Sequence, residues 1–132
     1  MADIKKIHHV AIVVDSISEA TAFWQDLGLN VDSINEVPEQ ESKVAFLSLG
    51  DAEIELVEPI SDTSGIARYL AKHGPGMHHI CIEVEGIESI LLNLQQKNYK
   101  LINPEAQITD NGRKYAFIHP QSTNGVLVEL YE

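Results

Sequence analysis

Two short stretches of this sequence carry side chains able to hold a divalent cation. "IHHVAIVVD" (Ile7–Asp15) and "GMHHICIEV" (Gly76–Val84) each contain two adjacent histidines, His8-His9 and His78-His79. Two later stretches set carboxylates among apolar residues. "AEIELVEP" holds Glu53 and Glu55, and "GVLVELYE" holds Glu129. Imidazole nitrogen together with carboxylate oxygen suits Co, Mn, Ni, Zn or Fe, and the residue types do not choose among them. Whether these groups converge depends on the strands that carry them.

Side chains on a strand alternate between its two faces. In "HHVAIVV" the bulkier apolar set is Val10, Ile12 and Val14, which should face a helix, with His8 sharing their parity. His9, Ala11 and Val13 then face the other way. In "HHICIEV" the helix-side set is Ile80, Ile82 and Val84 with His78, leaving His79, Cys81 and Glu83 opposite. Ile54 and Leu56 leave Glu53 and Glu55 opposite, and Val126, Val128 and Leu130 leave Glu129. Parity therefore selects His9 and His79 as candidate ligands, each with a carboxylate to match. His8 and His78 read as structural.

The match is a repeat, which is the strongest organisational signal in the chain. "HHVAIVVDSISEATAFWQDLGL" lies over "HHICIEVEGIESILLNLQQKNY", so that His9 matches His79. Each copy begins with an apolar strand and an acidic turn at Asp15-Ser16 or Glu85-Gly86. A helix follows. Ile17, Ala20, Trp24 and Leu27 mark one face of the first, and Ile87, Ile90, Leu91 and Leu94 one face of the second. The strands expected next are "LNVDSINEV", "KVAFLSLG" and "AEIELVEP" in the first copy. In the second they are "YKLIN", "KYAFIHP" and "GVLVELYE". Glu55 then matches Glu129. Between the copies, "DTSGIARYLAKHG" reads as a linking helix capped by Asp62 or Ser64 and ended at Gly74-Pro75.

The expected fold is α+β: two tandem βαβββ modules forming one curved mixed sheet, with a metal-binding cleft on the face that the helices leave free. The chain of 132 residues is read as a single domain. Module one covers about residues 5–60, the linking helix about 62–73 and module two about 76–132.

Composition excludes several function classes. The formal net charge is -11, from 20 acidic and 9 basic residues, which argues against a nucleic-acid partner. No apolar run approaches the roughly 20 residues that span a bilayer, and "MADIKKIHHV" shows no signal peptide. Cys81 is the only cysteine. With no internal disulfide possible, a reducing cytoplasm is the expected compartment.

Taken together, "HHVAIVV", "IELVEP", "GMHHICIEV" and "GVLVEL" resemble the vicinal oxygen chelate superfamily, and within it the methylmalonyl-CoA epimerases. "DTSGIARYLAKHG" is similar to that family's linker. The resemblance implies paired modules around a divalent metal, with ligands at His9, Glu55, His79 and Glu129. It also implies a small-molecule acyl-CoA substrate and a homodimer. Some members carry Gln where this chain has Glu55, and a catalytic Glu where it has Val44. Glu55, Glu41 or Lys43, or a bound water, would then supply the second acid/base group.

The implied reaction is epimerisation at C2 of methylmalonyl-CoA, through proton abstraction and return by way of a thioester enolate. Glu129 is the candidate base, and a metal would take up the developing charge. Lys72, Arg68 or Lys114 could meet the CoA phosphates. Three rival functions share the fold: a glyoxalase-I-like lyase acting on a glutathione hemithioacetal, a ring-cleaving Fe(II) dioxygenase, and a metal-free small-ligand binding protein.

Overall fold

Each half of the chain is built as one strand, one helix and three strands, joined by a linking helix. The computed structural model describes residues 2–132. Its elements are β1 (Asp3–Val13), α1 (Ile17–Leu27), β2 (Val31–Val37), β3 (Ser42–Leu49) and β4 (Ala52–Pro59), then α2 (Gly65–His73). The second half holds β5 (Gly76–Glu85), α3 (Ile87–Gln96), β6 (Gln107–Ile108), β7 (Lys114–Ile118) and β8 (Val128–Tyr131). The expected βαβββ order thus occurs twice, in an α+β protein. No helix among the described residues is long and apolar enough to cross a membrane.

The compact units do not coincide with the two sequence repeats. One unit is Val10–His78, and the other joins Met1–His9 to His79–Glu132. Strand β1 contributes to both, and so does β5.

In the Val10–His78 unit the strand order is β2-β3-β4-β1. Strands β2, β3 and β4 pair antiparallel, with Ala45 opposite Leu56 and Phe46 opposite Glu55. One face carries Val14, Ala45, Leu47, Ile54 and Leu56, packed against Ile17, Ala20 and Trp24 of α1, with Val10 and Ile12 beside them. This is the helix-side set that alternation selects. Fully burying an aliphatic side chain in such a cluster contributes about 1.5–3 kcal/mol. Ala11, Val44 and Val57 have the opposite parity and form a separate cluster with Phe46 and Ile66. Ile66 brings α2 into contact with this set. Ser64, not Asp62, caps α2, its Oγ accepting from Ala67 N–H at 3.1 Å.

In the other unit the order is β1-β5-β8-β7-β6. Strands β5 and β8 run parallel, with Cys81 opposite Glu129, while β7 pairs antiparallel with both β8 and β6. Val84, Ala116, Ile118 and Leu130 pack with Ile87 and Leu91 of α3, and Ile82, Ile90, Leu94 and Val128 close around them.

Helix starts are tied to the last strand of the same module. Glu58, at the end of β4, accepts from Ile17 N–H at 2.7 Å. The neighbouring Ser16 Oγ accepts from Glu19 N–H only at 3.4 Å, so the carboxylate is the stronger cap. Glu132 does the same for α3, taking Gly86 N–H at 2.8 Å and Ile87 N–H at 3.0 Å. No serine stands there. Gly86 at φ +76° provides a left-handed turn that an L side chain would strain.

Four local expectations are corrected. Leu27 does not face the core but is 62% exposed; buried Thr21 lies on the inner face instead. "YKLIN" is not a strand. Only Leu101 bridges Ile118 there, and the edge resumes at β6 past Pro104, which has no N–H to offer a ladder. Val126 precedes β8 and is 42% exposed, because the turn through Pro120–Ser122 and Gly125 delays the strand to Val128. His8 and His78 join neither helix-side cluster. His78 packs edge-on against Tyr69 of α2, and His8 lies against Tyr131, with ring centroids 4.7 Å apart.

Candidate metal centre

His9, His79 and Glu129 converge within the unit that joins Met1–His9 to His79–Glu132. His79 Nε2 lies 3.1 Å from Glu129 Oε1, and His9 Nε2 lies 3.4 Å from the same oxygen. The two Nε2 atoms are 3.3 Å apart. All three ligand atoms thus point at one small volume. Both histidines are buried, at 7% and 8% exposure. Glu129 is the middle residue of a cross-strand row, with Cys81 on one side and Phe117 on the other. Phe117 also meets the His79 ring edge-on at 5.4 Å.

These apolar walls would push the Glu129 carboxyl up, since burial disfavours the charged form. Hydrogen bonds from His79 and His9, and their charge, outweigh that effect and hold it down at about 2. Glu129 is therefore an ionised carboxylate at any ordinary pH. Two nitrogens and one anionic oxygen, converging in a largely buried position, are a donor set that fits a divalent cation.

The other ring nitrogen of His9 is also engaged. His9 Nδ1 is 2.8 Å from His8 Nδ1. Adjacent residues of a regular strand point to opposite faces, and burial alternates from His8 to Val13 along β1. Parity misassigns His8 because its ring nonetheless turns to meet those of His9 and Tyr131. Cys81 Sγ, buried at 0% exposure, completes a second group with His8 and His9 whose ligand atoms lie within 4.8 Å of one another.

Glu55 belongs to the Val10–His78 unit. It stands half-buried on β4 opposite Phe46, with the parity of buried Val57 rather than of the core residues Ile54 and Leu56. Val44 is 3% exposed and packed with Ala11 and Val57, so no carboxylate occupies that strand position. Lys43 shares parity with Ala45 and Leu47 and lies opposite Glu58, on the other face from Glu55. Glu41 sits in a left-handed turn at φ +51°, and its carbonyl accepts from Ile60 N–H. Of the candidate phosphate contacts, Lys114 is paired with Glu88 at 2.5 Å and Arg68 donates to Thr63 O at 2.6 Å.

Sequence reasoning overlooked Glu58 and Glu132. Their signal was available: each stands three residues after a cleft-side carboxylate, which puts it on the helix side of its strand.

Residues 8–117 match the Glyoxalase/Bleomycin resistance protein/Dioxygenase superfamily. The chain is 39% identical over 127 residues to the mitochondrial methylmalonyl-CoA epimerase of Homo sapiens, an alignment covering 95% of this chain and 72% of that protein. Among solved structures it is similar to the methylmalonyl-CoA epimerase of Mycobacterium tuberculosis, at a TM-score of 0.87 and 28% identity, covering 98% of this chain and 88% of that one. It is also similar to a methylmalonyl-CoA epimerase in complex with methylmalonyl-CoA and NH4+. There the TM-score is 0.85 and the identity 25%, covering 97% and 94%.

Proposed function

The chain belongs to the Glyoxalase/Bleomycin resistance protein/Dioxygenase superfamily, and from that premise we propose that it is a racemase/epimerase that inverts C2 of methylmalonyl-CoA. The observation that carries this reading is the convergence of His9, His79 and an ionised Glu129 on one volume, in a chain similar to epimerases over nearly its whole length. These three residues would hold a divalent cation. Glu55, which occupies in the first module the place of Glu129 in the second, is proposed as the fourth ligand. Bound there, the cation supplies Lewis-acid stabilisation of the charge that builds on the thioester oxygen as the C2–H bond breaks.

The remaining work falls to the chain's own groups. Glu129 is the proposed base. In the metal-free site the N–H groups of His9 and His79 hold its basicity down. A carboxylate of this kind would accept the C2 proton because the cation, when bound, would acidify that C–H bond by stabilising the charge on the thioester oxygen. Glu55 is the proposed partner that returns the proton to the opposite face of C2. Buried Cys81 and half-buried Phe117 beside Glu129 keep water from competing for that proton. Further proposals, resting on the family resemblance and on Cys81 being the one cysteine of the sequence, are a homodimer and a reducing, cytoplasmic setting.

The test is hydrogen exchange. Metal-replete protein in D2O is expected to place deuterium at C2 of methylmalonyl-CoA without glutathione, and Glu129→Gln to abolish the exchange with metal content measured in the same sample. Absence of C2 exchange, with conversion of a glutathione hemithioacetal instead, would overturn the epimerase reading in favour of a glyoxalase-like lyase.

A further inference from the structure

We infer that His8 is a positioning residue that sets the tautomer of His9, so that His9 Nε2 presents a lone pair to the bound cation. The inference rests on the metal site proposed above and extends it to a residue outside the ligand set. A neutral imidazole carries one proton on one of its two nitrogens. If Nε2 is to be a ligand, the proton must be on Nδ1, and a metal-binding histidine is held in that state by an acceptor facing its other nitrogen. The atom facing His9 Nδ1 is His8 Nδ1, at 2.8 Å. In the loaded site His9 Nδ1–H therefore donates to His8 Nδ1, and His8 keeps its own proton on Nε2.

His8 is fixed for this role by its surroundings. Its ring tilts against Tyr131 at 4.7 Å and stands near-perpendicular to His9, at 77° with 5.1 Å between centroids. Tyr131 is itself held under the Arg113 guanidinium, 4.5 Å from its ring centroid. The turn of the His8 ring toward its neighbour thus brings an acceptor to the ligand's far side.

The experiment uses zinc as a diamagnetic probe on the whole chain, with histidine nitrogens labelled with 15N. Long-range proton–nitrogen correlation spectra of zinc-loaded wild-type protein are expected to show His9 protonated at Nδ1 and His8 protonated at Nε2. Zinc affinity, measured by competition with a chelator, should fall about 10–100-fold in His8→Ala. It should be largely restored in His8→Gln, whose amide oxygen can accept. Cys81→Ser should leave zinc affinity unchanged. Wild-type affinity in His8→Ala, or zinc-loaded His9 lacking a proton on Nδ1, would overturn the role of His8 and leave the metal site standing. Loss of zinc in Cys81→Ser would place the ion on His8, His9 and Cys81 and overturn it too. A wild-type protein that takes up no zinc would remove both the site and the tautomer assignment. The spectra of the wild type do not depend on any variant folding.

Discussion

Replacing Glu129 by Gln in the metal-free protein is expected to erase a pH-dependent part of its stability. The carboxyl is held at about 2 in the folded chain, against 4.5 ordinarily. A group whose folded pKa lies below its unfolded value stabilises the fold above the unfolded value, and that contribution is lost as pH falls through the folded one. The window therefore runs from about pH 4.5 down to about pH 2. At about 1.4 kcal/mol per unit the contribution is about 3 kcal/mol. The Glu129 side chain is only 13% exposed, so solvent screening removes little of it. The chain has 20 acidic residues, many titrating in the same range, so the acid curve of the wild type alone is not diagnostic. The difference between wild type and Glu129→Gln is. Urea unfolding followed by far-ultraviolet circular dichroism, at several pH values between 5 and 2, should show the wild-type advantage shrinking by about 3 kcal/mol across that range. A difference that stays constant with pH would refute the claim that His79 and His9 hold this carboxyl down.

Metal analysis of purified variants should show His9→Ala and His79→Ala losing most bound divalent metal, while Glu55→Gln keeps it, because an amide oxygen can still coordinate. Glu132→Ala should cost about 1–2 kcal/mol in denaturant unfolding, since two helix-start N–H groups lose their acceptor, and Glu58→Ala about 1 kcal/mol, since one does.

Much of the fold was legible because apolar periodicity is a local property. Val10, Ile12 and Val14 alternate as a half-buried strand must, and Ile87, Ile90, Leu91 and Leu94 recur as one helix face must. Both sets pack as their spacing requires. The repeat added what one strand cannot show: a histidine and a carboxylate at equivalent places twice over. The misreadings share a cause. Leu27 fits a helix stripe but lies on a last turn that nothing covers. The "YKLIN" strand is undone by Pro104, three residues past a single bridge. Val126 has strand parity but falls inside a turn whose length is set by its own hydrogen bonds, Gly125 N–H to Pro120 O at 2.8 Å among them.

The sequence by itself determined which side chains share a face, because alternation and helical spacing follow from covalent geometry. With the repeat, it thereby picked His9, Glu55, His79 and Glu129 from six histidines and 20 acidic residues, and of these four the structure groups His9, His79 and Glu129. Tertiary structure decided what those groups are. Only strand pairing sets Glu129 between Cys81 and Phe117 and within 3.4 Å of two imidazoles, and so only the fold makes it a carboxylate held at about 2. The bond between His8 and His9 nitrogens likewise depends on how the two rings turn, which no periodicity reveals. A pattern of residue types is a one-dimensional fact, whereas the charge and tautomer of each group depend on distances that the pairing of remote strands creates.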